Sequence, residues 1–322
     1  MTSPEYNEYR ALLKKGRHIE AANLAEMEYL QGNRNNPFWL TRQAAALSRA
    51  GRYEQAYSVA EQALALQPAN PYGLLAKAEA LSGLGRIEEA LSYYQEIIDD
   101  AKLSLVAQKG MLYGLSELKQ WERILQLLAQ WQMPPATCWP YKVKALIGFH
   151  RLDEAMEACY RWLELQPDNR QGLWALTELE IQRDGLEAVI TKMGRLAKID
   201  SRPPIYKEIY ASLCRRAGRP ELALKQYEKL TQSGADPRIL RQQAFALKKA
   251  GKDSEVIPML EELLRLNPED YFLHSSYISA CKQSRQLDRA LKFYENLIEL
   301  HPQEKPLYGR IKAVQKLLGV EK

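Results

Sequence analysis

The sequence repeats itself with a period close to 34 residues. Residues 50–56 (AGRYEQA) recur in similar form at 84–90, 150–155, 217–223 and 285–290. The residue that ends each copy forms a series with intervals of 31 to 35: Ala21, Ala56, Ala90, Ile124, Ala155, Ala188, Ala223, Val256 and Ala290. A unit this short cannot bury its apolar face alone, so its stability must come from stacking on neighbouring units. The length of 322 residues therefore counts repeats and does not indicate two globular domains.

The apolar spacing within one copy predicts two helices joined by a tight turn. Leu40 and Leu47 lie two helical turns apart on one face of a first helix, and Ala56 and Ala63 do the same on a second helix. Gly51 lies between them, where a left-handed residue ends the first helix. Small residues at the facing positions allow the two helix backbones to approach closely.

These units resemble the tetratricopeptide repeat (TPR), whose residues recur at fixed offsets. When the alanine series is placed at position 20 of each unit, position 11 reads Leu12, Leu47, Leu81, Leu115, Leu146, Leu179, Cys214, Leu247 and Cys281. A unit-ending proline occurs as Pro68, Pro167, Pro268 and Pro302. The resemblance implies an all-α fold, a right-handed α-solenoid of about nine helix-turn-helix TPR-like repeats with a C-terminal capping helix.

The predicted domain organisation is one repeat array followed by a cap. The array covers residues 1–303, with units that start near residues 2, 37, 71, 105, 136, 169, 204, 237 and 271. Residues 304–322 place Leu307, Ile311, Val314 and Leu318 on one helical stripe, which predicts a capping helix that shields the last unit.

The two units at 136–203 depart from the pattern. Three prolines fall within residues 133–140, which predicts that one helix ends before Pro134 and the next begins near Pro140. In the following unit Lys192 and Arg195 occupy positions 24 and 27, which are usually apolar. Two interpretations stay open here: sequence drift at tolerated sites, or a joint that acts as a hinge.

Basic residues are concentrated in the second part of the chain. Residues 1–170 carry 19 Lys and Arg against 20 Asp and Glu, while residues 171–322 carry 26 against 20. In TPR proteins the first helices line a concave groove. The resemblance therefore implies a groove surface that includes Tyr72 and Tyr113 in the first part, and Arg215, Arg216, Arg238, Arg241, Phe245, Lys248, Lys249 and Lys282 in the second.

Such a basic groove predicts a protein partner that offers an extended or helical segment of acidic character. A second interpretation is that the helix macrodipole alone favours cations at the C-terminal ends of these helices. Arg238 and Arg241 are better evidence for a groove, because they lie near a helix start, where the dipole disfavours them.

The sequence favours a protein-interaction scaffold over other classes of function. It has no nucleophile elbow, paired helix histidines or metal-binding loop, so we expect neither an enzyme nor a metal or cofactor site. No apolar run approaches the length of a membrane span, and no secretory signal is present, so we expect a cytoplasmic protein. The main alternative is a helical-repeat protein that binds nucleic acid, in particular RNA, and a third is a sensor of a small ligand.

Overall fold

A computed structural model describes residues 3–199, 201–231, 236–302 and 305–319. These residues form nineteen α-helices and contain no strand, which confirms the predicted all-α repeat fold. The chain divides into two compact units, Met1–Pro167 and Asp168–Lys322, called unit 1 and unit 2.

Unit 1 holds ten helices in five pairs. In chain order they are α1 (Pro4–Lys14), α2 (His18–Gln31), α3 (Phe38–Arg49), α4 (Tyr53–Leu66), α5 (Pro71–Gly83), α6 (Ile87–Glu96), α7 (Ser104–Glu117), α8 (Trp121–Gln130), α9 (Pro135–Gly148) and α10 (Leu152–Leu165). Each helix packs on the next, and the odd-numbered first helices α3, α5, α7 and α9 also contact one another in sequence.

Unit 2 holds four further pairs and one last helix. In chain order they are α11 (Arg170–Asp184), α12 (Leu186–Leu196), α13 (Pro204–Arg216), α14 (Pro220–Thr231), α15 (Pro237–Lys249), α16 (Asp253–Leu266), α17 (Tyr271–Gln283), α18 (Leu287–Leu300) and α19 (Lys305–Leu318). The first helices α13 and α15 contact each other, and α19 packs against α18 with Leu307 and Val314 fully buried. The surface formed by the odd-numbered helices α1 to α17 within each unit is called the first-helix surface below.

A recurring turn ends most of the first helices. Gly51 has a φ of 74°, and the N–H of Arg52 donates to the carbonyl of Leu47 at 2.9 Å, which closes the helix with a Schellman hydrogen bond. The predicted left-handed glycine is confirmed. In α7, α9 and α17 the same slot is held by Lys119, His150 and Arg285, each with a positive φ.

Small residues bring the helices together as predicted. Ala44, Ala60 and Ala76 of three successive helices form one buried cluster. The position-20 residues are also buried in every repeat except one.

That exception corrects the predicted register of the repeat at residues 169–203. Ala188 is exposed and Val189 is buried in its place, because α11 ends five residues after Leu179, whereas α3 ends two residues after Leu47. The longer first helix moves the second helix along by one residue. Position 24 is therefore the buried Met193 and not Lys192.

Lys192 and Arg195 consequently do not break the apolar pattern. Both are exposed, and Lys192 forms an ion pair with the buried carboxylate of Glu180 on α11. The predicted helix start near Pro140 is also wrong: α9 begins at Pro135, and Pro140 lies inside it as the sixth residue. The helix accepts that position at the expense of one backbone hydrogen bond.

Candidate functional site

The structure places the predicted groove residues of unit 2 on three neighbouring first helices. Contacts between these helices bring the residues of α13, α15 and α17 together. Arg215 and Arg216 end α13, and Lys282 lies in the last turn of α17. The others lie on α15: Arg238, Arg241, Phe245, Lys248 and Lys249.

Arg238 is neutralised inside the chain. Its guanidinium donates to both carboxylate oxygens of Glu208 at 2.7 and 2.9 Å, and to Asp236 at 2.9 Å. The side chain of Glu208, on α13, is only 6% exposed and also accepts hydrogen bonds from Arg170 of α11. The buried carboxylate therefore joins three successive first helices, so Arg238 has a structural role.

Arg241 and Arg216 also have carboxylate partners. Arg241 donates to Oδ2 of Asp270 at 2.7 Å, while Oδ1 of the same aspartate caps α17 by accepting from the N–H groups of Phe272 and Leu273. Arg216 forms an ion pair with Glu178. Sequence reasoning missed these pairs because each acidic partner lies about one repeat away. A search for opposite charges at separations of 29 to 38 residues would have found them.

Four of the cations predicted for the groove have no acidic side chain that neutralises their charge among the described residues. They are called the C-terminal basic row: Arg215, Lys248, Lys249 and Lys282. In the part of the chain that the structure describes, none of the four forms an ion pair with a carboxylate. Arg215 donates to Gln242 at 3.0 Å, and Lys248 donates to the carbonyl of Ser276 at 3.3 Å. Lys249 donates at 2.6 Å to the carbonyl of Arg215, at the C-terminal end of α13. This last contact places the charge of Lys249 at the C-terminal end of a neighbouring helix, where the helix dipole favours a cation.

Unit 1 contains a pocket that the sequence identified only in part. It has a volume of about 390 Å³ and lies between the first helices α1, α3 and α5. We call it the Arg42 pocket; its lining includes four cations, three tyrosines and one carboxylate: Arg10, Lys14, Arg42, Arg49, Tyr6, Tyr9, Tyr72 and Glu79. The near-neutral charge of residues 1–170 concealed this local excess of cations.

Arg42 is held in a fixed position by aromatic rings. Its guanidinium carbon lies 3.8 Å from the ring centroid of Phe38 and 5.1 Å from that of Tyr72. Its Nη1 donates to the hydroxyl of Thr41 at 2.9 Å. Because these contacts use cation–π attraction and one nitrogen, other N–H groups of the guanidinium stay available for an acceptor.

Helix α1 is fixed against α3 and so completes the pocket. The hydroxyl of Tyr9 donates to the carbonyl of Arg42 at 2.8 Å, and the ring of Tyr9 packs edge-on against Trp39. Burial raises the pKa of Tyr9 to about 12, so this phenol is neutral at physiological pH. The α1 residues Arg10 and Lys14 bring their charges to the pocket from this helix.

Glu79 is the carboxylate among these cations. It lines the pocket from α5 and is half-buried, and no hydrogen bond or ion pair joins it to any residue described. Burial raises the pKa of Glu79 above its ordinary value, and the positive charge of Arg49 opposes that shift.

The two tyrosines predicted for the groove of unit 1 lie in different places. Tyr72 is 37% exposed and lines the Arg42 pocket. Tyr113 lies on α7 and is 47% exposed, outside the lining of that pocket.

No group of three or more His, Cys, Asp or Glu side chains that could hold a metal occurs among the described residues. Cys159, Cys214 and Cys281 are buried as free thiols. In the described part of the chain, every helix is too short or too polar to cross a membrane.

Comparison with known proteins finds a tetratricopeptide repeat in part of the chain. The family model for the tetratricopeptide repeat matches residues 47–109. A crystal structure of a tetratricopeptide repeat protein from Parabacteroides merdae superimposes with a TM-score of 0.51 at 13% identity, covering 76% of this chain and 97% of that one. At this identity the similarity concerns the fold alone.

Two further solved structures match with lower scores. The P58(IPK) TPR domain has a TM-score of 0.30 at 15% identity, covering 98% of this chain and 97% of that one. Naa15/Naa10 bound to HypK-THB has a TM-score of 0.37 at 15% identity, covering 99% of this chain and 61% of that one. No curated protein matches the sequence.

Proposed function

We propose that this chain, a tetratricopeptide repeat protein, is a non-catalytic interaction scaffold that binds an acidic segment of another protein on its first-helix surface. The Arg42 pocket carries the proposal. Three first helices bring four cations to one open pocket there, and the single carboxylate among them does not pair directly with any of them.

The chemistry of the pocket favours an acidic side chain next to an aromatic one. A carboxylate can accept charge-assisted hydrogen bonds from Arg42, whose guanidinium is already fixed by aromatic rings. The exposed face of Tyr72 offers a ring for aromatic packing. Because exposed ion pairs contribute about 0.2–1 kcal/mol each, four cations supply only about 1–4 kcal/mol. A stable complex therefore needs further contacts along a longer segment.

The C-terminal basic row supplies a second set of cations in unit 2. Its lysines lie on first helices, as the cations of the Arg42 pocket do in unit 1, and they lack carboxylate partners within the described residues. We include this row in the proposal as a separate binding region. The ion-paired Arg216, Arg238 and Arg241 are left out of it.

The test is direct binding of an acidic probe. A blocked, fluorescein-labelled pentapeptide with four aspartates around one tryptophan is titrated with the protein at low and moderate salt by fluorescence anisotropy. In the test variant Arg42→Gln is combined with Arg49→Gln. A matched control combines Lys102→Gln with Arg123→Gln, which removes the same charge from exposed positions outside the pocket.

We expect the pocket variant to bind the peptide about tenfold more weakly, since two ion pairs together contribute on the order of 1.4 kcal/mol. The control should change the affinity by less than threefold at moderate salt, because distant charges are screened. Equal losses in the two variants would show that the peptide responds to net charge and would reject the pocket as a specific site.

A further inference from the structure

We propose that Glu79 takes up one proton when an acidic side chain fills the Arg42 pocket, so that Glu79 sets the pH range in which the pocket binds. This inference rests on the proposed function because it concerns the same pocket.

The position of Glu79 is unusual for a carboxylate. It lines the pocket and is half-buried, yet no described residue donates a hydrogen bond to it or pairs with it. Solvent that enters the open pocket is therefore what hydrates its charge. A ligand side chain that fills the pocket excludes this solvent, and an ionised carboxylate without hydration or a direct partner is strongly disfavoured.

Charged and titratable groups face Glu79 from three other helices: Tyr9, Arg10 and Lys14 of α1, Arg42 and Arg49 of α3, and Tyr94 of α6. The tyrosines stay neutral, since burial raises the pKa of Tyr9 and of Tyr94 to about 12.

Two groups on the neighbouring helices α4 and α7 interact with other residues. Glu61 of α4 forms an ion pair with Lys77 of α5. Tyr113 of α7 contributes to the raised pKa of Tyr94, whereas Arg49 is the charged side chain that affects the pKa of Glu79. Glu79 is therefore the carboxyl group among the described residues that line this pocket, and burial raises its pKa above the ordinary value.

An acidic ligand and an ionised Glu79 compete for the same cations. The ligand carboxylate accepts the hydrogen bonds of Arg42 and its neighbours, which leaves Glu79 near a like charge in a drier site. Both effects raise the pKa of Glu79 further above the value to which burial already raises it in the free protein.

The affinity for an acidic segment therefore depends on pH. Because the bound state holds the proton more tightly than the free state, affinity rises as pH falls through the bound-state pKa. It levels off below the pKa of the free protein.

Isothermal titration calorimetry with the unlabelled blocked pentapeptide tests the inference. Titrations at pH 5.5, 6.5 and 7.5, each in two buffers of different ionisation enthalpy, give the affinity and the number of protons taken up. The aspartates of the peptide, with an ordinary pKa of about 3.9, stay ionised throughout.

For the unchanged protein we expect uptake approaching one proton, and an affinity about tenfold higher at pH 5.5 than at pH 7.5. Glu79→Gln should bind at least as tightly at pH 7.5, with no proton uptake and a flat pH profile. Arg49→Gln is a second variant. It removes the cation that opposes protonation, and so moves the pH transition upward even as binding weakens.

The possible failures are distinct. Equal proton uptake by the unchanged protein and Glu79→Gln, with binding retained, would overturn the role of Glu79 and leave the proposed function intact. Absence of peptide binding in both proteins at every pH would overturn the proposed function and this inference with it. Should Glu79→Gln fail to fold, as judged by circular dichroism, an unshifted transition in Arg49→Gln would still overturn the inference.

Discussion

Arg241 was predicted to line the groove, but it forms an ion pair with Asp270. Substitution of the two residues tests whether this pair stabilises the fold. Arg241→Gln removes the charge of the guanidinium, and Asp270→Asn removes that of its partner while keeping a side chain that caps helices equally well. The two single variants and the double variant form a double-mutant cycle, which isolates the interaction between the two side chains.

The exposure of the two side chains gives the magnitude. Arg241 is 36% exposed and Asp270 is 9% exposed, at an Nη1 to Oδ2 distance of 2.7 Å. Exposed pairs contribute about 0.2–1 kcal/mol, and breaking a fully buried pair costs about 3–5 kcal/mol. A coupling free energy of about 1.5 kcal/mol is therefore expected for this half-buried pair.

Native-state hydrogen exchange is the suitable assay, because repeat arrays often unfold in parts and a single unfolding free energy is then not defined. The opening free energies of core amides in α15 and α17 should fall by about 1–2 kcal/mol in each single variant, with much less further loss in the double variant. Arg241→Gln should also bind the acidic pentapeptide within twofold of the unchanged protein. A coupling free energy below about 0.3 kcal/mol, together with a large loss of peptide affinity, would refute the structural role of Arg241 and show that it contributes to peptide binding instead.

Three further predictions concern other parts of the chain. Gly51→Ala should lower the opening free energy of amides in α3 and α4 by about 1 kcal/mol in hydrogen exchange, because the φ of 74° at this position is strained for a residue with a Cβ, although no atom lies within 4 Å of that Cβ. An unchanged opening free energy would show that the left-handed turn does not require glycine. His274, whose pKa is lowered by burial, should make unit 2 less stable as pH falls below about 6.5, since the unfolded state then binds the proton more tightly. His274→Gln should flatten the pH 5–7 profile of the opening free energies of core amides in α17 and α18, measured by native-state hydrogen exchange. In the variant that combines Arg42→Gln with Arg49→Gln, where the C-terminal basic row is the remaining binding region, adding Lys248→Glu and Lys282→Glu should weaken peptide binding at moderate salt about thirtyfold, because reversal replaces two attractions by repulsions. The same reversal at the exposed second-helix residues Lys225 and Lys292 should change that binding less than threefold.

Local spacing was enough to predict the fold. The leucine at position 11 and the small residue at position 20 define which face of each helix is buried, and both are buried in most units. The register failed at Ala188 because the length of α11 depends on where Gly185 ends the helix, with a φ of 85° and a ψ of 157°. A one-residue change of that kind leaves the repeat spacing almost unaltered.

The site was less predictable because charge compensation acts between repeats. Arg241 looks like a free groove cation in sequence, and only the folded chain shows that Asp270 of the next first helix neutralises it. The Arg42 pocket was hidden for a related reason. Arg10 and Arg49 belong to different repeats of unit 1, and acidic residues elsewhere in residues 1–170 balance their charge, so a charge count over that range does not reveal them.

Photo-cross-linking shows directly whether the first-helix surface binds an acidic segment. The pentapeptide is prepared with benzoylphenylalanine in place of its tryptophan, irradiated with the protein, and the labelled residues are mapped by mass spectrometry. We predict labels on α1, α3 and α5 around Arg42 and Tyr72, which excess unlabelled peptide removes and Arg42→Gln reduces. Labels confined to the second helices, or scattered without response to competitor, would show that the first-helix surface is not the binding surface.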